Sequence, residues 1–364
     1  MVPYDEPGKR AGAKAWLCPT PQGPGRDFFA FAAAGRERVG EWPRSRGDRT
    51  GQGQRPGLVL VANKGDRTLG IVDPVEGRQI AVVPEDGVTG HEVAASPDGK
   101  LAFVPIYGNA GVGQPGTDGR LVRVIDLVKR EVAGTVDFGT GVRPHCAVIG
   151  PRNGLLYVTT ELQNSVAVID PGTLKVVQTI PTEQPESHML AITRDGRRGY
   201  TSNVGPGTVS VLDLKAGKVL AVISTSAGAQ RISLSVDDRR AFTADQTKPR
   251  LIVIDTAAEK VITSVPLPGV GYGTAPTPDG RWLLVALPRV RQVAVVDMDL
   301  LQAVRTLDVP SAPQEVLVQP DGARAYVSCD AAGQVAVIDL TTWRVEKLVP
   351  VGHGADGLAW AKAN

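Results

Sequence analysis

The sequence predicts an all-β fold, a seven-bladed β-propeller with four antiparallel strands in each blade. The first observation is a set of seven short apolar runs that each end in aspartate, at positions 73, 126, 170, 213, 255, 297 and 339. After a first gap of 53 residues, these aspartates follow one another at intervals of 42 to 44 residues, which is the period of a propeller blade. The second observation is that each period holds four brief runs rich in Val, Leu and Ala, separated by turn residues.

The two ends of the repeating region complement each other. The region begins with LVLVAN, which corresponds to the second strand of a blade, and finishes with DGLAWAKAN, which corresponds to an innermost strand without its followers. We therefore expect the N- and C-terminal segments to close one blade together, because closure leaves no unpaired inner edge. Residues 58–364 form the predicted propeller domain.

Residues 1–57 differ from the repeats in composition. They are rich in Gly, Pro and Arg, and their apolar patch FFAFAAAG is about half the roughly 20 residues that a membrane helix needs. We expect residues 1–57 to be a low-complexity, disordered segment, and no signal peptide is readable in them. The alternative is that the start codon is assigned at the wrong position, so that a true export signal is hidden. The net charge of +2 and the lack of a membrane-length apolar run argue against nucleic acid as a partner and against a membrane span.

The repeats resemble the YVTN family of β-propeller repeats. The pattern of strand, Pro-Asp-Gly turn, strand and Ile-Asp is visible in QPDGARAYVSCDAAGQVAVIDLTTWRVEKLVPV, and YVTT itself stands at 157–160. The resemblance implies the propeller fold and a periplasmic or extracellular place in the cell envelope. It says little about chemistry, because one fold hosts many functions.

Three of the four histidines occupy one position of the repeat, at the start of an innermost strand. Turns of a meander alternate between two faces, so this position shares a face with the connections between second and third strands. We call it the top face. The turn alignment places these residues around the mouth of the central channel: His91, His145, His188, Gln230, Tyr272, Gln314 and Asp356. The matching ends of the second strands are Lys64, Tyr107, Glu161, Val204, Gln246, Pro288 and Ala331.

The reactive side chains of this ring are concentrated in three consecutive blades. Neutral imidazoles bind zinc, copper or iron, and three of them leave positions for water or substrate. We therefore predict a candidate metal site at His91, His145 and His188. Glu161 is a candidate catalytic base or fourth ligand, and Tyr107 a candidate proton donor. The alternative is structural: histidine is common at this position of YVTN repeats, and the three side chains would then hydrogen-bond across the channel.

One large insertion, GNAGVGQPGTDG at 108–119, falls between a second and a third strand, hence on the top face. We expect it to form a lid or a pocket wall. Its GxGxxG pattern does not predict phosphate binding, because no helix follows. Elsewhere we expect Arg231 to pack between blades, Cys146 to be a buried structural thiol, and the strand-end aspartates to accept hydrogen bonds in turns.

Two functions follow from these features. The first is a YVTN-like binding or interaction protein that uses a histidine-lined pocket at the top of the channel for a small molecule, a metal or a protein partner. The second is a metal-dependent lyase, hydrolase or oxygenase with a three-histidine centre. The sequence identifies no substrate.

Overall fold

The structure is a computed structural model, and it describes residues 57–363. These residues form seven four-stranded antiparallel sheets, which confirms the predicted propeller. The expected disordered segment, 1–57, lies outside the described residues apart from Gly57, at which the first strand begins. None of the described residues forms a helix long and apolar enough to cross a membrane.

We number the blades in chain order and give the strands of each from the channel outward. Blade 1 contains β28 (Ala355–Lys362), β1 (Gly57–Asn63), β2 (Thr68–Asp73) and β3 (Arg78–Pro84). Blade 2 contains β4 (Ala94–Ala95), β5 (Leu101–Gly108), β6 (Asp118–Asp126) and β7 (Glu131–Asp137). Blade 3 contains β8 (Pro144–Ile149), β9 (Leu156–Thr160), β10 (Ser165–Asp170) and β11 (Lys175–Pro181).

Blade 4 contains β12 (Ser187–Ile192), β13 (Arg198–Asn203), β14 (Thr208–Asp213) and β15 (Lys218–Ser224). Blade 5 contains β16 (Ser233–Leu234), β17 (Arg240–Ala244), β18 (Arg250–Asp255) and β19 (Lys260–Pro266). Blade 6 contains β20 (Thr274–Pro276), β21 (Trp282–Leu287), β22 (Gln292–Asp297) and β23 (Gln302–Asp308). Blade 7 contains β24 (Pro313–Val318), β25 (Arg324–Cys329), β26 (Gln334–Asp339) and β27 (Arg344–Pro350).

Blade 1 joins the two ends of the described chain, as the complementary termini predict. β28 pairs antiparallel with β1, with Val59 opposite Trp360 and Leu60 opposite Ala359. The C-terminal strand is therefore the innermost strand of the first blade. Closure of the ring rests on this pairing.

The strand-end aspartates organise the outer turns, as expected. The carboxylate of Asp339, for example, accepts hydrogen bonds from the backbone N–H groups of Thr341 and Thr342, at 2.8 and 2.7 Å. Just before each aspartate the register with the outermost strand shifts by one residue, for example between Val337 and Ile338. Such bulges increase the local twist of the outer strand pair.

The core lies between the blades and is built from the apolar faces of adjacent sheets. Phe103, Tyr200 and Phe242 are among its largest fully buried side chains. Cys146 is also buried, and its thiol lies 3.7 Å from the carbonyl oxygen of Leu190 in the next blade. This position agrees with the expected structural role of the thiol.

Candidate functional site

The structure brings the predicted top-face residues together at the mouth of the channel. Neighbouring side chains are in contact from blade 1 to blade 5. In order they are Lys64, Asp356, His91, His145, His188 and Gln230. The three histidines therefore form one cluster, as the repeat alignment predicts.

His145 and His188 are stacked and buried. Their ring centroids are 3.6 Å apart with an interplanar angle of 32°, and each residue is only 2% exposed. Burial lowers the pKa of both imidazoles well below their usual value, so both rings are neutral at physiological pH. The Nδ1 atoms of both rings are buried and have no hydrogen-bond partner within the described part of the chain.

The fit of this cluster to a metal ion is limited. Among residues 57–363, no group of three His, Cys, Asp or Glu side chains is placed to hold an ion. Imidazole lone pairs lie in the ring plane, so stacking His145 on His188 does not direct their nitrogens at one point. The predicted three-histidine metal centre with His91 stays a prediction.

His91 is the accessible histidine of the cluster, with a side chain that is 21% exposed. Its Nδ1 atom lies 3.9 Å from Oδ2 of Asp356, and its ring centroid lies 5.0 Å from that of Tyr107. Burial lowers the pKa of His91 to about 4, so its imidazole is neutral at physiological pH. The site therefore presents a neutral base beside a carboxylate.

Asp356 is held between two cations. Arg231 donates to its Oδ1 atom at 2.9 Å, and the ammonium group of Lys64 lies 3.2 Å from Oδ2. Burial raises the pKa of Asp356, but the charges of Lys64 and Arg231 outweigh it and hold that pKa below its usual range. Lys64 also lies 2.5 Å from Asp330, and its side chain is 30% exposed. An ionised carboxylate and an accessible ammonium group thus accompany His91.

Tyr107 and Glu161, the predicted catalytic groups, are hydrogen-bonded to each other. The Tyr107 hydroxyl donates to Oε2 of Glu161, and burial together with this bond raises the pKa of the tyrosine. The other oxygen of Glu161 accepts from Arg143 and from the backbone N–H of Gly113, both at 3.2 Å. The tyrosine ring lies against all three histidines, with centroid distances of 5.0 to 6.2 Å. Both oxygens of Glu161 are therefore engaged.

The insertion between β5 and β6 is held in place by hydrogen bonds to the network of Tyr107, Glu161 and Arg143. Arg143 donates through Nε to Asp118 at 2.6 Å and through Nη2 to the carbonyl oxygen of Gln114 at 2.7 Å. Gly119 at the end of the insertion packs so closely that a Cβ there would lie 1.7 Å from the carbonyl oxygen of Ile106. The loop therefore forms a wall beside the cluster, which is one of the two roles expected of it.

The position of Arg231 differs from the sequence-based expectation. It does not pack between neighbouring blades but reaches across the channel from blade 5, where it is 2% exposed. Its Nη1 atom lies 2.7 Å from Glu92 and also contacts Glu315, and its Nη2 atom binds Asp356. Burial raises the pKa of both Glu92 and Glu315. One guanidinium group thus joins carboxyl groups from blades 2, 7 and 1.

A signal for this cluster is present in the repeats. Glu92, Arg231 and Glu315 each directly follow a ring position, so the turn alignment shifted by one residue brings them together. Strict alternation along a strand would point these residues away from the face that the ring residues occupy. Arg231, however, precedes β16 and is not part of a regular strand. Arg143 has no comparable repeat signal, and it was missed.

The family comparison points to a group of enzymes. Residues 75–263 match the family described as Lactonase, 7-bladed beta-propeller. The matched segment covers a little over half of the 364 residues. No curated protein matches the sequence.

Solved structures agree on the propeller. A chain of Kuenenia stuttgartiensis hydrazine synthase is similar with a TM-score of 0.67 and 20% identity, over 82% of this chain and 99% of that chain. The dihydro-heme d1 dehydrogenase NirN, in complex with DHE, is similar with a TM-score of 0.61 and 18% identity, over 86% of this chain and 77% of that chain. At such identities the likeness shows the fold alone.

Proposed function

The chain belongs to the seven-bladed β-propeller lactonase family, and on this premise we propose that it binds a small cyclic ester at the mouth of its channel and opens it with water. The observation that carries the proposal is the arrangement of His91, Asp356 and Lys64. A neutral, accessible imidazole lies beside an ionised carboxylate and an ammonium group. These are the parts that ester hydrolysis requires.

In the proposed reaction His91 acts as a general base. Its imidazole takes a proton from a water molecule, whose oxygen attacks the lactone carbonyl carbon, and the carbonyl oxygen becomes an oxyanion. The Lys64 ammonium group stabilises that negative charge, and Asp356 stabilises the imidazolium ion. When the intermediate collapses, the ring C–O bond breaks and the imidazolium returns its proton to the leaving alkoxide. The product is the open hydroxy acid.

The ring around these groups favours a small polar ligand over a protein partner. The Tyr107 hydroxyl donates to Glu161 and the Gln230 amide lies 3.4 Å from His188, so the histidine side of the mouth is preorganised by hydrogen bonds. Preorganised polar groups fix the orientation of a small substrate. A propeller that only binds would keep these groups and lack turnover.

The test measures the hydrolysis of a panel of γ- and δ-lactones, and the rate is obtained by continuous titration of the acid released. We expect His91→Gln to lower kcat by about 100-fold or more, the usual contribution of general acid–base catalysis. His353→Gln is the matched control, because His353 is an exposed top-face histidine paired with Asp66. Equal losses in both variants, or binding without turnover in the wild type, would contradict the proposal.

The second candidate is a metal-dependent enzyme with a centre at His91, His145 and His188. The observation that favours it is the pair of buried, unpartnered Nδ1 atoms on the stacked rings, which bind nothing among the described residues. Buried polar atoms in native proteins usually have a partner, so an ion is one explanation. Ring rotation would be needed for all three nitrogens to share it.

A further inference from the structure

The residue that follows the outermost strand of each blade has the same backbone environment throughout the ring. Its N–H group donates to a carbonyl oxygen near the start of the third strand, for example from Thr182 to Asn164 at 2.9 Å. The residues at this position are Glu85, Phe138, Thr182, Thr225, Leu267, Val309 and Val351. All of these side chains are apolar or carry a hydroxyl group, except that of Glu85, which is ionisable.

Glu85 is fully buried, and one of its carboxyl oxygens is unpaired. The residue is 0% exposed, and its Oε2 atom accepts the backbone N–H of Gly90 at 2.9 Å. Its Oε1 atom has no hydrogen-bond partner among residues 57–363. Burial raises the pKa of Glu85 to about 7, and the bond from Gly90 lowers it by less.

The groups packed around Glu85 do not neutralise its charge. Arg123 on β6 donates from Nε to the backbone oxygen of Glu85 at 2.8 Å and from Nη2 to that of Asp86, not to the carboxyl group. Asp86 and Arg67, whose backbone oxygen accepts from the N–H of Glu85, are exposed. From β5, the apolar side chain of Val104 packs against the segment. An ionised carboxyl group would therefore be buried without a partner, which is costly.

Glu85 holds the backbone from which His91 projects. Gly90, which receives its hydrogen bond, directly precedes His91, and a Cβ atom on Gly90 would lie 2.8 Å from Oε2 of Glu85. The hydroxyl of the preceding residue, Thr89, donates to the backbone oxygen of Lys64 at 2.7 Å. A movement of the Glu85 carboxyl group is thus passed to the backbone of both His91 and Lys64.

The same position anchors a second ring histidine through neutral groups. Ser187 directly precedes His188, and its hydroxyl donates to Oγ1 of Thr182 at 2.7 Å. Thr182 and Glu85 are equivalent in the repeat, and both are 0% exposed. The anchor of His188 therefore contains no ionisable group, whereas the anchor of His91 contains one.

From these contacts we propose that Glu85 is a pH-sensitive positioning residue for His91. In its neutral form it secures residues 85–90 against β5. When it ionises, the carboxylate needs water, so this segment loosens and His91 leaves its place beside Asp356. The consequence for catalysis rests on the proposed function, but the change in the segment does not.

The first test measures the melting temperatures of wild type and Glu85→Gln, which keeps the shape and removes the titration, between pH 4.5 and 8.5. The pKa of Glu85 is about 7 in the folded chain and about 4.5 in the unfolded one. Wild-type stability relative to the variant should therefore fall as pH rises from about 4.5 to 7, and the difference should be constant above about pH 8. A difference that does not change with pH would overturn the proposal.

Two further variants complete this test. Glu85→Leu, which copies the residue type of position 267, should remove the same pH dependence if the glutamine variant folds poorly. Thr182→Val is the matched control, because it removes the neutral anchor of His188 at the equivalent position. Its difference from wild type should be the same at every pH, and a pH-dependent difference there would overturn the assignment to Glu85.

The second test is hydrogen exchange of the peptide that covers residues 85–91. Wild type and Glu85→Gln are compared at the same pH, so that the intrinsic pH dependence of exchange cancels. Exchange should be equal in the two proteins at pH 5 and several-fold faster in the wild type at pH 8. Equal exchange at pH 8 would show that ionisation does not loosen the segment.

The third test is the pH profile of lactone hydrolysis. The ratio of kcat/KM between Glu85→Gln and wild type should rise about tenfold from pH 6 to pH 8, because the protonated fraction of Glu85 falls by that factor. Faster exchange of residues 85–91 without any lactone turnover would refute the proposed hydrolysis and retain the role of Glu85. Turnover with a constant ratio would remove Glu85 from the positioning of His91.

Discussion

Replacing Arg231 with methionine should destabilise the propeller strongly at neutral pH. The substitution keeps an unbranched side chain and removes the guanidinium group that three carboxyl groups share. Of these, Asp356 retains Lys64, but Glu92 and Glu315 lose the single cation that they contact within the described part of the chain. Removing one partner of a buried ion pair costs about 3–5 kcal/mol. We expect a loss at the upper end of that range, because more than one carboxyl group is left uncompensated.

The loss should depend on pH. Without Arg231, burial raises the pKa of Glu315 further above its value in the unfolded chain, so the folded variant binds more protons than the unfolded one. Its stability then rises relative to wild type as pH falls, because each carboxyl group is neutralised rather than buried as a charge. The difference in free energy of unfolding between variant and wild type should therefore shrink between pH 8 and pH 5.

The assay is urea unfolding at pH 5, 6, 7 and 8, followed by tryptophan fluorescence. Arg291→Met is the control, since it removes one exposed arginine and should change stability by less than about 0.5 kcal/mol. Arg231→Lys keeps the charge but not the planar fork, so it should fall between wild type and Arg231→Met. A loss below about 1 kcal/mol at pH 7, or a loss equal at all four pH values, would show that the carboxyl groups do not depend on Arg231.

Three further predictions concern closure, the insertion and the metal. Deleting residues 356–364 should abolish cooperative unfolding, because β1 loses its inner partner; an unchanged melting temperature would contradict the closing role of that strand. Replacing residues 110–116 with two glycines should leave unfolding cooperative and alter ligand affinity, since loop length affects stability only slowly; the cost should be limited to about 1–3 kcal/mol for each of the hydrogen bonds that Gly113 and Gln114 make to Glu161 and Arg143, and a larger loss would make the insertion structural. If the histidines bind metal, zinc titration should give about one ion per chain, with weaker binding at lower pH. His145→Ala should abolish that binding and Gln314→Ala should retain it, whereas no zinc at any occupancy in the wild type would refute the metal centre.

The architecture was predictable because a propeller repeats one local pattern. Each blade places an aspartate at the end of its third strand and a turn after it, so a 42-residue period predicts strands, turns and face assignment together. The complementary ends predicted the pairing of β1 with β28, which the structure confirms. The histidine cluster followed from the same alignment.

The partners of the buried charges were not predictable in that way. Arg231 binds Glu315 and Asp356, which lie 84 and 125 positions away in sequence, and its reach across the channel is not a property of one repeat. Arg143 directly precedes β8 with a left-handed backbone φ of 50°, and two of its side-chain partners, Asp118 and Gln114, belong to an insertion that no other blade shares. Period and alternation describe what the blades have in common, whereas these contacts depend on where the blades differ.

Closure links the stability of the ring to the chemistry at its mouth. Lys64 and Asp356 are 292 positions apart in sequence and meet only because the terminal strand completes blade 1. His91 lies at the start of the next blade, and its backbone oxygen accepts a 2.8 Å hydrogen bond from Gly357 on that same terminal strand. A variant that frays β28 should therefore lose the arrangement of His91, Lys64 and Asp356 before the other blades unfold. Loss of lactone hydrolysis at urea concentrations below the main unfolding transition would be the sign of this coupling.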